Sequence, residues 1–184
     1  MDLFVDRMST PVGNLFLVWE GDRLRALDFG DYEDRFHRLL KVHYGKHRLM
    51  EARAPEPIRG ALASYFQGEI TAIDRVPVQT NGTPFQLEVW KALREIPAGE
   101  TISYGQLAAR IGNPNASRAV GLANGSNPIG IVVPCHRVIG ANGKLTGYGG
   151  GLDRKRWLLE HERGNLFVTE RPDRIHPQRA ASGQ

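Results

Sequence analysis

The sequence contains a single cysteine, Cys135, and His136 follows it directly. One cysteine can form neither a disulfide within the chain nor a multi-thiolate zinc site, so any chemistry here uses a lone thiol. A thiol reacts as thiolate, and an adjacent base raises the thiolate fraction. The imidazole in turn needs a partner that fixes its tautomer, and Glu162 or Glu160 of the last predicted helix could supply it. The alternative is an inert buried cysteine beside a structural histidine.

The backbone around this cysteine decides whether the two side chains can cooperate. Neighbouring side chains of an extended strand point to opposite faces, so contact between Cys135 and His136 requires a bend or a bridging water. Pro134 disfavours helical backbone at Val133. We therefore predict that the β-branched run Ile131–Val133 is extended and that the chain turns after it.

Two helix starts in the second half carry a recognisable local pattern. Thr83 and Gln86 form a capping-box sequence, as do Ser103 and Gln106. The second box predicts a short helix over Tyr104–Ile111. These patterns make the second half mostly helical.

A further short helix is predicted over Ala116–Asn124, with Asn115 as its cap. Two short helices joined by a glycine-containing break favour a helix-turn-helix, and a plain helical hairpin is the alternative. The last helix is expected to be capped by Asp153 and to stop at Gly164.

The first half has the pattern of a small sheet with helices, which makes the whole chain α+β. The predicted strands are Leu3–Met8, Asn14–Glu20 and Arg23–Phe29, and the predicted helices are Tyr32–Tyr44 and Glu56–Gln67. We expect an N-terminal α/β domain over residues 1–80, a C-terminal domain over 81–165, and a flexible tail over 166–184.

Charge is concentrated in the second half of the chain. Residues 82–163 contain 10 basic and 6 acidic side chains, whereas residues 1–81 contain 11 and 12. The excess favours a polyanionic partner for the second half. No apolar run approaches the roughly 20 residues of a transmembrane helix, and the N-terminus lacks the pattern of a signal peptide. We therefore expect a cytoplasmic protein that does not bind membranes.

The segment Pro134–Val138 resembles the active-site motif of the O6-alkylguanine-DNA alkyltransferases, which repair DNA by direct reversal. Further matching segments follow that family's order and spacing: Ile102–Tyr104, Arg118–Gly121, Asn127–Pro128, Gly147–Gly151 and Trp157–Glu162. The resemblance is strong over residues 82–163, looser over the first 80, and closest to the bacterial constitutive type. It implies a ribonuclease-H-like N-terminal domain, a mostly helical C-terminal domain with a helix-turn-helix, no cofactor, no metal and a monomer.

The resemblance also assigns roles to individual residues. Cys135 would accept the alkyl group irreversibly, and His136 would act as its base through a bridging water. Glu162 would orient the imidazole, and Tyr104 would give a proton or hydrogen bond to the departing guanine. Asn127 would hold the turn before the cysteine.

The expected substrate is double-stranded DNA carrying O6-alkylguanine, with O4-alkylthymine as a weaker one. The Val138 backbone, Tyr148 and Gly149 would line the pocket for a flipped base, and Arg118 would fill the gap left in the stack. Further DNA contacts would come from Gln86, Asn113, Ala119 and the Ala141 backbone. Many relatives carry Ser or Ala at position 149, so the glycine predicts room for bulkier alkyl groups.

Three rival functions fit parts of the pattern. A non-catalytic relative would bind alkylated DNA, but such proteins lack the cysteine. A cysteine hydrolase would turn over repeatedly, and a transcription regulator would show strong sequence preference. The preferred adduct, cooperative assembly on DNA and the role of the tail stay open at this stage.

Overall fold

The computed structural model describes residues 1–165 and opens with a four-stranded sheet. Strands β1 (Asp2–Thr10), β2 (Gly13–Glu20) and β3 (Arg23–Phe29) form antiparallel neighbours. A short strand, β4 (Arg48–Glu51), pairs parallel with β1 and gives the order β3-β2-β1-β4. Two helices accompany the sheet, α1 (Glu33–Tyr44) and α2 (Glu56–Phe66).

The two faces of this sheet pack into two different hydrophobic clusters. One face buries Val5, Phe16 and Val18 against Phe36 and Leu40 of α1. Side chains that alternate with these along the strands point the other way and join a larger core, which continues into the second half of the chain. Strands β2 and β3 are therefore covered on both sides.

The second half is built from helices and one short strand pair. The helices are α3 (Pro84–Arg94), α4 (Tyr104–Arg110), α5 (Ser117–Gly125) and α6 (Leu152–Gly164). Strands β5 (Ile102–Ser103) and β6 (Val138–Ile139) pair in parallel. Both predicted capping boxes are present, at Thr83 and Ser103. Together with the sheet, this confirms the α+β prediction.

Backbone hydrogen bonds join the two halves directly. The Leu27 amide donates to the Pro128 carbonyl over 3.0 Å, and the Gly130 amide donates to the Leu27 carbonyl over 3.0 Å. Strand β3 thus holds, at its edge, the turn that precedes the cysteine. The linker is held in the same way, because the Leu24 amide donates to the Pro77 carbonyl over 2.8 Å.

Two predicted helix caps are wrong. Helix α5 begins one residue later than expected, with Ala116 at the cap position and no side-chain hydrogen bond, so Asn115 does not cap it. Helix α6 follows Gly151, whose φ of 93° only glycine adopts readily. Asp153 instead lies in the first turn of that helix, where its carboxylate faces the positive end of the helix dipole.

Two further differences concern strands. Strand β4 was not predicted, and the run Ile131–Val133 is a turn instead of an extended segment. The predicted tail, residues 166–184, lies outside the described residues. Within residues 1–165, no helix has the length and apolar character needed to cross a membrane.

Candidate active site

Cys135 lies in a short 3-10 helix, Cys135–Arg137, between the turn and β6. The Arg137 amide donates to the Pro134 carbonyl over 3.0 Å, which closes this helical turn. The bend that the sequence required therefore exists, although it is tighter than an extended run followed by a turn. It buries the sulfur, the imidazole and the guanidinium of three consecutive residues.

The imidazole of His136 is held by Glu162 from α6. Its Nε2 lies 2.5 Å from Glu162 Oε1, and both side chains are fully buried. Since a carboxylate can only accept, Nε2 carries the proton, and Nδ1 is left bare. Nδ1 is buried with no hydrogen-bond partner among the described residues, so it is the nitrogen that can take up a proton. Glu160, the other candidate, is exposed.

Arg137 completes a buried charge cluster with the same carboxylate. Its Nε donates to Glu162 Oε1 over 2.9 Å, and its Nη1 donates to the Ile96 carbonyl over 2.7 Å. Burial alone would raise the pKa of Glu162, but the contacts with His136 and Arg137 outweigh it and lower that pKa to about 2. Glu162 is therefore a carboxylate at every physiological pH.

Burial has the opposite consequence for the imidazole. Removal from water lowers the pKa of His136 below its ordinary value, and the charge and hydrogen bond of Glu162 oppose this only in part. The imidazole is neutral at pH 7. A neutral, oriented imidazole with one bare nitrogen is suited to act as a general base.

The Cys135 thiol is also affected by burial, which raises its pKa. A hydrogen bond from the Asn127 side chain and the positive charges of Lys155 and Arg35 act in the opposite direction. Because burial prevails, the resting thiol is protonated at neutral pH, and nucleophilic attack requires a base. No hydrogen bond between His136 and the sulfur is present among residues 1–165, so a water relay fits this geometry.

Asn127 fixes the turn that presents the cysteine. Its Nδ2 donates to the carbonyls of Ile129 and Val133, over 3.2 and 2.8 Å, and its Oδ1 accepts from the Ile129 amide over 3.0 Å. Within this turn Ile131 has a φ of 68°, which is strained for a β-branched residue. The amide side chain therefore stabilises a backbone conformation that the local sequence does not favour.

Replacement of Asn127 with alanine should cost about 3 kcal/mol of unfolding free energy, because buried backbone groups of Ile129 and Val133 lose the hydrogen bonds of this side chain. Urea denaturation measures the loss. Asn113→Ala, at an exposed asparagine of the same half, should change stability by less than about 0.5 kcal/mol. Equal effects of the two substitutions would contradict the role assigned to Asn127.

A buried lysine ties the glycine-rich loop to the strand that follows the cysteine. Lys155 Nζ donates to the carbonyls of Val138 and Thr146, over 2.7 and 2.6 Å. Burial lowers its pKa to about 8, against the opposing effect of Cys135. Thr146 also donates to the Tyr104 hydroxyl over 3.2 Å, which brings the start of α4 to the loop. Three segments distant in sequence thus meet near the sulfur.

The residues predicted to line a base pocket lie around this meeting point. Val138 is buried, and Tyr148 stands edge-on to the His136 ring, with 6.5 Å between the ring centroids. The Tyr148 hydroxyl is buried with no hydrogen-bond partner within residues 1–165. Gly149 is not open on its side-chain side, because a Cβ there would lie 2.7 Å from Cζ of Arg35. Arg35 thus takes the space beside Gly149, and room for bulkier alkyl groups stays a prediction.

The predicted DNA contacts mostly lie at the surface. Exposed positions are Asn113, Arg118, Ala119 and Ala141. Gln86 is different, because its Oε1 accepts from the Thr83 amide over 3.0 Å and its Nε2 donates to Ser126 Oγ over 3.2 Å. Its side chain is already used within the protein, and a contact with DNA stays a prediction.

Sequence reasoning missed three charged groups of this site: Arg35, Arg137 and Lys155. Arg137 stands inside the motif, and its position next to His136 was the available signal. Lysine is almost never fully buried, so nothing in the sequence marked Lys155 as an internal tether. Arg35 comes from the other half of the chain, and its approach to Gly149 is visible only in three dimensions.

Comparison with known proteins covers nearly all described residues. Residues 84–164 match the family model "6-O-methylguanine DNA methyltransferase, DNA binding domain" and residues 4–80 match the "ribonuclease-like domain" of the same family. A Salmonella typhimurium protein named methylated-DNA--protein-cysteine methyltransferase is 52% identical over 163 residues, which are 87% of this chain and 95% of that protein.

Solved structures agree. The crystal structure of a Mycobacterium tuberculosis O6-methylguanine methyltransferase is 46% identical, has a TM-score of 0.76, and is matched over 89% of this chain and 94% of that one. A Mycobacterium tuberculosis OGT in complex with DNA is 45% identical with a TM-score of 0.76, over 90% and 94% of the two chains. The lone cysteine, its histidine and their glutamate are thus set in a fold shared along its length with these proteins, and the chain belongs to the 6-O-methylguanine DNA methyltransferase family.

Proposed function

We propose that this protein repairs DNA by moving the alkyl group of O6-alkylguanine onto Cys135, once per molecule. O4-alkylthymine would be a weaker substrate. The Cys135 thiol proton passes through water to Nδ1 of His136. The sulfur then attacks the alkyl carbon, a carbon–sulfur bond forms as the bond from carbon to O6 breaks, and the guanine leaves neutral after it takes up a proton.

The observation that carries this proposal is the state of His136. Nε2 of the neutral imidazole donates a hydrogen bond to Glu162, which leaves Nδ1 as a base on the residue that directly follows the only cysteine of the chain. A thioether offers no leaving group to water, so the alkylated protein would not be regenerated. Tyr104, held at the loop by Thr146, is placed in the proposal as the donor to guanine.

We also propose that the DNA-facing part is a helix-turn-helix of α4 and α5 that binds the minor groove. A base within the duplex hides its reacting atom, so the target nucleotide must rotate out of the stack. Arg118 is exposed in the first turn of α5, where the neighbouring Ala119 is small enough to allow close approach. Little base readout is expected, since repair has to operate in any sequence.

Replacement of Arg118 with alanine should slow transfer from an O6-methylguanine duplex about tenfold or more, because nothing would fill the space left by the extruded base. Transfer from the free base O6-benzylguanine should be unchanged, since no base is extruded there. Rates of label transfer measure both. Arg156→Ala, at an exposed arginine of α6, is the control. A parallel fall in both rates would contradict the proposed role.

The proposal as a whole is tested by mass spectrometry of the protein after incubation with an O6-methylguanine duplex. We expect one added CH2 group, confined to the peptide that contains Cys135, and no second turnover with excess substrate. Continuous release of product would indicate a hydrolase. Absence of any adduct would overturn the proposal.

A further inference from the structure

Arg35 of α1 lies against the glycine-rich loop, although it belongs to the N-terminal half. A Cβ built on Gly149 would lie 2.7 Å from Arg35 Cζ and would overlap its Nη1. Carbon atoms do not approach so closely, so the guanidinium occupies the space into which any side chain at position 149 would project. The pairing joins residues 114 positions apart.

The guanidinium is fixed in this place by its own neighbours. Its Nε donates to Asp28 Oδ2 over 3.1 Å, its Nη2 donates to the other oxygen of Asp28, and it stacks on the Tyr32 ring with 4.9 Å from Cζ to the centroid. Asp28 is buried in β3, so this partner is rigid. A bidentate, stacked arginine keeps one conformation far better than a solvated one.

The same region of the N-terminal half holds the rest of the loop. Phe29 would meet a Cβ on Gly150, and its ring packs edge-on against Tyr148 with 6.0 Å between centroids. Arg154 donates to the Val12 carbonyl over 2.8 Å. Residues of the N-terminal half therefore pack against the loop, and Arg35 contacts it at Gly149, where the loop is exposed.

We propose that Arg35 is a specificity-determining residue, which sets the size of the alkyl pocket from the N-terminal domain through its contact with Gly149. This inference rests on the proposed function. The guanidinium fills the space that a side chain at position 149 would take, so this part of the wall comes from α1. Its positive charge also favours the Cys135 thiolate, but the proposal concerns volume.

The functional test compares transfer rates from duplexes that carry O6-methylguanine and O6-benzylguanine. Arg35→Ala should raise the benzyl-to-methyl rate ratio roughly tenfold, because the vacated space accepts the larger group. Arg35→Met, which keeps an unbranched side chain of similar length without the charge, should stay within about threefold of the wild-type ratio. Arg38→Ala, at an exposed arginine one turn along α1, is the matched control. An unchanged ratio in Arg35→Ala would overturn the proposal.

A second measurement tests the contact without using activity. Gly149→Ala should lower the melting temperature of the full chain, since the new methyl group displaces the guanidinium from Asp28. In an Arg35→Ala background the same substitution should have almost no effect. Equal shifts in both backgrounds would contradict the contact. If the wild-type protein accepts no alkyl group from either duplex, the proposed function itself fails, and that result differs from an unaltered ratio in an active protein.

Discussion

Replacement of Cys135 with alanine is expected to abolish alkyl transfer completely and to leave binding to duplex DNA intact. The thiol is the only one in the chain, so no second residue can replace it as nucleophile. Alanine fits the buried site, and the loss of one sulfur atom should cost only about 1 kcal/mol of stability. Mass spectrometry after incubation with an O6-methylguanine duplex, together with a DNA-binding titration, measures both effects.

Cys135→Ser provides a closer control for this experiment. It nearly keeps the size of the side chain, but a hydroxyl is far less acidic than a thiol, and its oxygen is a much weaker nucleophile toward alkyl carbon. It should therefore also be inactive, while its melting temperature stays close to that of the wild type. An alkyl adduct on another residue of either variant would show that the nucleophile has been misassigned.

Replacement of Glu162 with glutamine is expected to have the second-largest effect. The carboxylate accepts from both His136 and Arg137, so its loss leaves a buried guanidinium without its hydrogen-bonded counter-ion. Such losses typically cost about 3–5 kcal/mol. An amide can also donate to the imidazole and so favour the wrong tautomer, and we expect transfer by the folded protein to slow by about 10²-fold or more. Urea denaturation and single-turnover rates provide the two readouts.

The pH dependence of stability distinguishes this cluster from an ordinary surface ion pair. The pKa of Glu162 is about 2 in the folded protein against an ordinary 4.5, so unfolding takes up a proton between those values. Burial also lowers the pKa of His136, so its imidazole takes up a further proton on unfolding at pH values below its ordinary pKa of 6.5. Both groups take up protons on unfolding, so the free energy of unfolding should fall as the pH drops from about 6.5. Glu162→Gln should remove the lower part of this dependence.

Glu160→Gln is the matched control for both measurements, because it makes the same chemical change two residues earlier on an exposed face of α6. It should leave the rate, the stability and the acid dependence close to those of the wild type. If Glu162→Gln behaves like Glu160→Gln, then the buried cluster does not orient the imidazole.

The parts of this molecule that were predictable from sequence are those determined by local interactions. The capping boxes at Thr83 and Ser103 need only four consecutive residues, and both are confirmed. Strand β4 was not predictable, because it has four residues and pairs with β1 from more than 40 positions away. Ile131 was placed in an extended run because β-branched residues favour one, and Asn127 together with β3 overrides that preference.

The candidate site shows the same division. The Cys135–His136 pair and the choice between two glutamates could be derived from residue types and spacing, and the structure selects Glu162. Lys155 and Arg35 could not be derived, because surface charge is the ordinary state of lysine and arginine. The contact beside Gly149 could not be derived for the same reason, since it comes from a neighbour distant in sequence.

The hydrogen bonds between Leu27 and the Pro128–Gly130 turn predict how the second half of the chain behaves when it is expressed alone. A fragment that begins near residue 82 would retain the thiol and its base, but the turn that aims the thiol would lose its β3 scaffold, and apolar side chains of the shared core would face water. We expect such a fragment to aggregate when expressed alone and to recover when the first 80 residues are supplied in trans. We expect the sheet to act as a folding template for the half that carries the thiol.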